Sequence, residues 1–147
     1  MTDGGDFDLD QFKATYFEEC NELIADAEDY LTAIKSDPQN VQQDDLHGIF
    51  RAVHSIKGGA GAFNFTQLVA FAHVYETLLD SMRDGRVAVT EEASLQLLLA
   101  NDVLANLITA AQDPSGVVPA ITKPKKPATR SLTHFRVVSF PLIFKVW

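Results

Sequence analysis

Four stretches of helical hydrophobic periodicity, separated by short turn signals, constrain this chain more than any other feature. From Phe7 to about Lys35 the apolar residues Phe12, Tyr16, Leu23, Ala27, Leu31 and Ile34 recur at spacings of three, four or seven, with no Gly or Pro among them. Ser36-Asp37-Pro38-Gln39-Asn40 ends that helix, because proline lacks an amide donor and biases the preceding residue away from helical angles. A second segment starts near Val41, with Leu46, Ile49, Phe50, Val53 and Ala60 as its buried stripe. After Phe63-Asn64-Phe65, Thr66 is the expected N-cap of a third helix that carries Leu68, Val69, Ala72, Tyr75, Leu79 and Met82 inward and stops at Asp84-Gly85. A fourth helix opens at Thr90, with Glu91 and Glu92 in its positive first turn, and presents Leu95, Leu98, Leu99, Val103, Leu107 and Ile108. Four such helices on short turns can bury their stripes only against one another. The expected fold is therefore all-α, an antiparallel four-helix bundle over residues 1–113.

Composition changes abruptly after Asp113. All 20 acidic residues precede Pro114, opposed there only by Lys13, Lys35, Arg51, Lys57, Arg83 and Arg86; the other six of the 12 basic residues follow, with no acid. An acidic body repels phosphate backbones, which argues against nucleic acid as a partner. Residues 114–131 read as a Pro/Lys-rich linker, and 132–147 as a β-prone tail, with Pro114, Pro119, Pro124 and Pro127 opposing a further long helix. A lone cysteine, Cys20, excludes an intrachain disulfide and suits a reducing compartment. The N-terminus lacks the basic and apolar regions of a signal peptide, and no run reaches the ~18 consecutive apolar residues of a membrane span. A cytoplasmic location is expected.

Chemistry concentrates in Phe50-Arg51-Ala52-Val53-His54-Ser55-Ile56-Lys57-Gly58-Gly59-Ala60-Gly61-Ala62-Phe63. On a helix, Arg51, Lys57 and Gly58 are the three- and four-residue neighbours of His54, so two cations and bare backbone share its face. Three glycines in a helix each cost up to ~1 kcal/mol relative to alanine, which calls for a compensating use. A phosphoryl group carried on an imidazole needs an exposed ring nitrogen, positive charge for its oxygens, and room for a partner's active site; Lys57 supplies charge, and Gly58, Gly59 and Gly61 supply room. The ring's other nitrogen must also be held by an acceptor. His73 and Glu76 share a face of the third helix. If the second and third helices are antiparallel, His54 lies about ten residues before the turn and Glu76 about twelve after it, a mismatch of roughly 3 Å at ~1.5 Å per residue.

That segment closely resembles the N-terminal histidine phosphotransfer domain of CheA-type bacterial chemotaxis kinases, and Phe12, Phe17, Glu18, Glu22, Leu23 and Glu28 of the first helix fit the same family. The resemblance covers about the first 110 residues. It implies that His54 is phosphorylated through Nε2, that Glu76 accepts a hydrogen bond from Nδ1, and that Lys57 and His73 are further polar members of the site. It implies a CheA-type ATP-binding kinase domain as donor, so that the chain needs no cofactor of its own, and a CheY- or CheB-like response regulator as acceptor. The tail faintly resembles the opening strand of the domain that follows in such kinases, so a truncated following domain is expected there.

Two other readings stay open on residues alone. His54, His73 and Glu76 could converge on a metal ion, although bundle metal sites usually draw on Glu-x-x-His and the order here is His73-x-x-Glu76. A purely structural interaction bundle would leave exposed glycines unexplained. A nucleotide-binding loop fails on order, since Lys57 precedes the glycines and no Gly-Lys-Ser/Thr follows. His47 and His134 read as solvent-exposed and incidental.

Overall fold

A computed structural model describes residues 4–113. The chain forms α1 (Gly4–Ser36), a 3-10 turn at Pro38–Asn40, α2 (Gln43–Ala62), α3 (Thr66–Arg83) and α4 (Glu91–Gln112). Each helix packs on its neighbours in chain order, and α4 closes the ring against α1. The result is the expected four-helix bundle, with no strand among the described residues. The linker at 114–131 and the β-prone tail at 132–147 lie outside the described residues.

The turns after α2 and α3 are closed by the backbone. After α2, Asn64 takes the left-handed conformation (φ 60), Phe65 N donates to Ala60 O at 2.9 Å and Asn64 N to Gly61 O at 3.3 Å. After α3, Gly85 (φ 73) plays the same part, with Arg86 N on Ser81 O at 2.9 Å and Gly85 N on Met82 O at 3.2 Å. Both are Schellman closures, which satisfy the last helical carbonyls. The first of them corrects the expected start of α3. Phe65, not Thr66, occupies the cap, without a side-chain cap hydrogen bond, because the chain is already positioned by the α2 closure and by Phe63 and Phe65 packing on Tyr16. Thr90 does cap α4, its side chain accepting from Ala93 N at 3.1 Å.

The core is drawn from Tyr16, Phe17, Cys20, Ile24, Ala27, Leu31 and Ile34 of α1, Leu46, Ile49, Ala52, Val53, Ile56 and Ala60 of α2, and Leu68, Phe71, Ala72, Tyr75, Leu79 and Met82 of α3. Two expected stripes are corrected. Phe12 is 66% exposed, because α1 has 33 residues against 20 in α2; from Asp8 onward, Tyr16 is the first residue of α1 to be buried. In α4 the buried line is Ser94, Leu97, Ala100, Asn101, Leu104, Leu107 and Ile108, while Leu95 and Leu99 face outward and Leu98 and Val103 are only partly buried. Leu95-Gln96-Leu97-Leu98-Leu99 is apolar on nearly every face, so its spacing fits two stripes. By length and composition α4 could cross a membrane; its Leu97 to Ile108 face is instead buried in the bundle.

Two tyrosines of α1 lie on two glycines of α2. A Cβ on Gly59 would clash with the ring of Tyr16, and one on Gly48 with the ring of Tyr30, so the absence of side chains there lets α1 approach. The Tyr16 hydroxyl also donates to Ile56 O at 2.6 Å, and burial pushes its phenol well above the ordinary range. Around Gly58 and Gly61, by contrast, space is open. Gly59→Ala is expected to destabilise the bundle by about 1–3 kcal/mol through overpacking, whereas Gly58→Ala should stabilise it by about 0.5–1 kcal/mol; urea titration checks both.

Burial likewise raises the Tyr75 phenol. Unfolding would let both phenols ionise near their ordinary pKa of ~10, whereas the folded state keeps them protonated. Stability should therefore fall as pH rises above about 10. Urea titrations at neutral and high pH test this, and Tyr16→Phe should flatten the dependence.

Candidate functional site

Midway along α2, His54 emerges on the surface with 64% of its side chain exposed, while its neighbours Val53 and Ile56 point into the core. Across the α2–α3 contact, Glu76 is only 6% exposed. The antiparallel turn brings the two level, as residue counting predicts: His54 Nδ1 lies 2.5 Å from Glu76 Oε1, and Lys57 Nζ is paired with Glu76 Oε2. A buried carboxylate is thus shared between an imidazole and an ammonium, both from α2.

This arrangement favours one tautomer. With the Lys57 ammonium on one oxygen, the carboxylate acts as an acceptor, so the proton between Oε1 and Nδ1 belongs to the ring. Neutral imidazole carries one N–H; placing it on Nδ1 leaves the Nε2 lone pair free.

Other expected members divide. Lys57 is in the set. Arg51 is exposed and joins no ion pair among the described residues, so only one of the two expected cations turns to the carboxylate. His73, one turn before Glu76 on α3, is exposed, and its ring makes no hydrogen bond or ion pair among the described residues. Gly58 and Gly61 leave open surface beside the histidine, whereas the missing side chain of Gly59 accommodates Tyr16, so Gly59 serves helix packing. The metal reading also loses support, since no three His, Cys, Asp or Glu side chains among the described residues are grouped to hold an ion.

Two residues near the ring received no site role from the sequence. Phe50, one turn before His54, stacks on the imidazole with centroids 6.0 Å apart and planes inclined by 8°. The Arg83 guanidinium, from the last turn of α3, stands 4.9 Å from the centre of the Phe50 ring. Spacing of four on α2 was the available signal for Phe50; none pointed to Arg83. A shallow cleft of about 230 Å³ between the start of α3 and the end of α4, lined by residues such as Phe65, Gln67 and Leu107, includes none of these residues.

An exposed, oriented histidine on a four-helix bundle, backed by a buried carboxylate from the next helix, defines the class of a helical histidine module. The family model of the Hpt domain, the histidine phosphotransfer domain, matches residues 11–113. The chain belongs to the Hpt domain family. Among curated relatives, it is 43% identical over 113 residues to the chemotaxis protein CheA of Rhizobium meliloti (strain 1021), covering 75% of this chain and 14% of the relative. To CheA of Cereibacter sphaeroides it is 40% identical over 106 residues, 71% of this chain and 16% of the relative. The Salmonella typhimurium CheA gives 38% over 103 residues, 70% of this chain and 15% of the relative. The chain thus spans about a seventh of the length of these relatives.

Replacing Glu76 with Ala should release the tautomer. In long-range proton–nitrogen spectra, His54 of the native chain is expected as the Nδ1–H form, and Glu76→Ala should show a mixture of both forms with the helical signal unchanged. A native spectrum dominated by Nε2–H would contradict the assignment.

Proposed function

We propose that this chain is the phosphoryl carrier of a chemotaxis two-component system, located in the cytoplasm, and that His54 is its phosphorylated residue. The observation that supports the reading is the pairing of exposed His54 with buried Glu76, in which a proton on Nδ1 facing the carboxylate would leave Nε2 as the nucleophile. A CheA-type kinase domain, binding ATP elsewhere, presents the γ-phosphoryl group. The Nε2 lone pair attacks the γ-phosphorus, a P–N bond forms, and the bond to the bridging oxygen breaks to release ADP. Nδ1 keeps its proton, so the phosphorylated ring is an imidazolium, and the adjacent Glu76 carboxylate stabilises the positive charge created in the step.

Transfer onward reverses the roles. The aspartate carboxylate of a CheY- or CheB-like response regulator attacks phosphorus, the P–N bond breaks, and its electron pair returns to Nε2 as the imidazolium reverts to neutral. Lys57 is a compact charge on a flexible stem, able to move from Glu76 towards the phosphoryl oxygens. Gly58 and Gly61 let a partner's active site close over the ring, and His73 provides at most outlying polar support. This domain is a phosphoryl acceptor and carrier without a nucleotide site of its own, and in a full-length CheA-type parent it would be part of a sensor histidine kinase. Residues 1–113 form the carrier domain.

Incubation of the whole chain with ATP and a CheA-type kinase domain should yield an acid-labile, base-stable phosphoryl adduct. His54→Gln should abolish it; labelling that persists in this variant would overturn the assignment. Lys57→Ala is expected to slow phosphorylation by about 10²-fold, the scale of losing one preorganised charged contact to a developing anion, and a rate within twofold of native would remove Lys57 from the mechanism.

A further inference from the structure

A single hydrogen bond does not fix the plane of a ring. With Nδ1 held at Glu76 Oε1, the imidazole of His54 can still swing about the line joining those atoms and carry Nε2 across the surface. Histidine's terminal torsion is broad, so rotamer preference does not prevent this. With 64% of the side chain exposed, the core does not prevent it either.

The contact that opposes the swing is the face of Phe50, nearly parallel to the imidazole at 8° and one helical turn away. Phe50 is itself only half-buried, so its ring also needs an anchor. Arg83 supplies one from the neighbouring helix, its guanidinium 4.9 Å from the ring centre, where attraction to the aromatic face and the planar shape of the group favour one orientation. Arg83 Nη1 lies 3.8 Å from Asp80 Oδ1, one turn back on α3, which steadies the guanidinium in turn. The chain of contacts runs from Asp80 through Arg83 and Phe50 to His54. It approaches the imidazole through a different contact from the Glu76 hydrogen bond.

We propose that Phe50 is a positioning residue that sets the plane of the His54 ring, and that Arg83 latches Phe50 from α3. The inference rests on the carrier function proposed above for its kinetic consequence, but its structural content does not. Glu76 selects which nitrogen reacts; Phe50 and Arg83 select the direction in which that nitrogen points. In-line attack on phosphorus demands both, since small errors of alignment cost large factors in rate.

The test compares Phe50→Leu, which removes the aromatic face, with Phe50→Tyr, which keeps it, and with Arg83→Met, which leaves Phe50 in place. Two quantities are measured on the whole chain: the order parameter of the His54 Cε1–H bond by carbon relaxation, and kcat and KM for phosphorylation by a CheA-type kinase domain with ATP. Phe50→Leu should lower the ring order and reduce kcat by about tenfold at unchanged KM; Arg83→Met should shift both in the same direction by less, and Phe50→Tyr should restore both. Native ring order or native kcat in Phe50→Leu, or a Phe50→Tyr variant as impaired as Phe50→Leu, would overturn the proposal. Failure of the native chain to be phosphorylated would refute the carrier reading instead, and the ring order, which needs no kinase, would still decide whether Phe50 holds the imidazole.

Discussion

A carboxylate that is 6% exposed must be paired, because an isolated buried charge costs several kcal/mol even after the surroundings relax. Glu76 meets that requirement with His54 and Lys57, one partner on each oxygen. Both come from α2, three residues apart, so satisfying the carboxylate also fixes the level of α3 relative to α2. The same pairing that makes the interface tolerable leaves the His54 ring exposed, with Nδ1 facing Glu76.

The opposite side of α2 is held by a different device. Tyr16 and Tyr30 of α1 lie against Gly59 and Gly48, and the Tyr16 hydroxyl binds the carbonyl of Ile56, one residue before Lys57. α2 is thus braced by α1 behind the site while its outer face stays open at Gly58 and Gly61. The glycine run has two uses divided by helical position. Gly59 faces another helix, and Gly58 and Gly61 face outward. An outward glycine costs helix stability without gaining any packing.

Much of this was legible in the sequence because local signals agreed with one another. Asp37-Pro38 and Asp84-Gly85 mark helix ends through backbone chemistry, and counting residues across the α2–α3 turn placed Glu76 level with His54. The failures have physical causes. Phe12 fits the periodicity of α1 but lies beyond the reach of the shorter helices. Leu95 and Leu99 fit a stripe as well as Leu97 and Leu104 do, so only packing against α1 and α3 selects the buried line, which includes the polar Ser94 and Asn101. Gly59 and Gly58 are indistinguishable until Tyr16 is in place, and the Arg83 contact with Phe50 joins residues 33 apart that no local pattern connects.

The central claim is that Glu76 commits Nδ1 of His54 and so leaves Nε2 as the phosphoryl carrier. Phosphorus–nitrogen coupling in the phosphorylated, histidine-labelled chain reads this directly, since it identifies the atom bonded to phosphorus. The account predicts a single coupling, to Nε2 of His54. Coupling to Nδ1 of that ring, or to any other histidine, would contradict it.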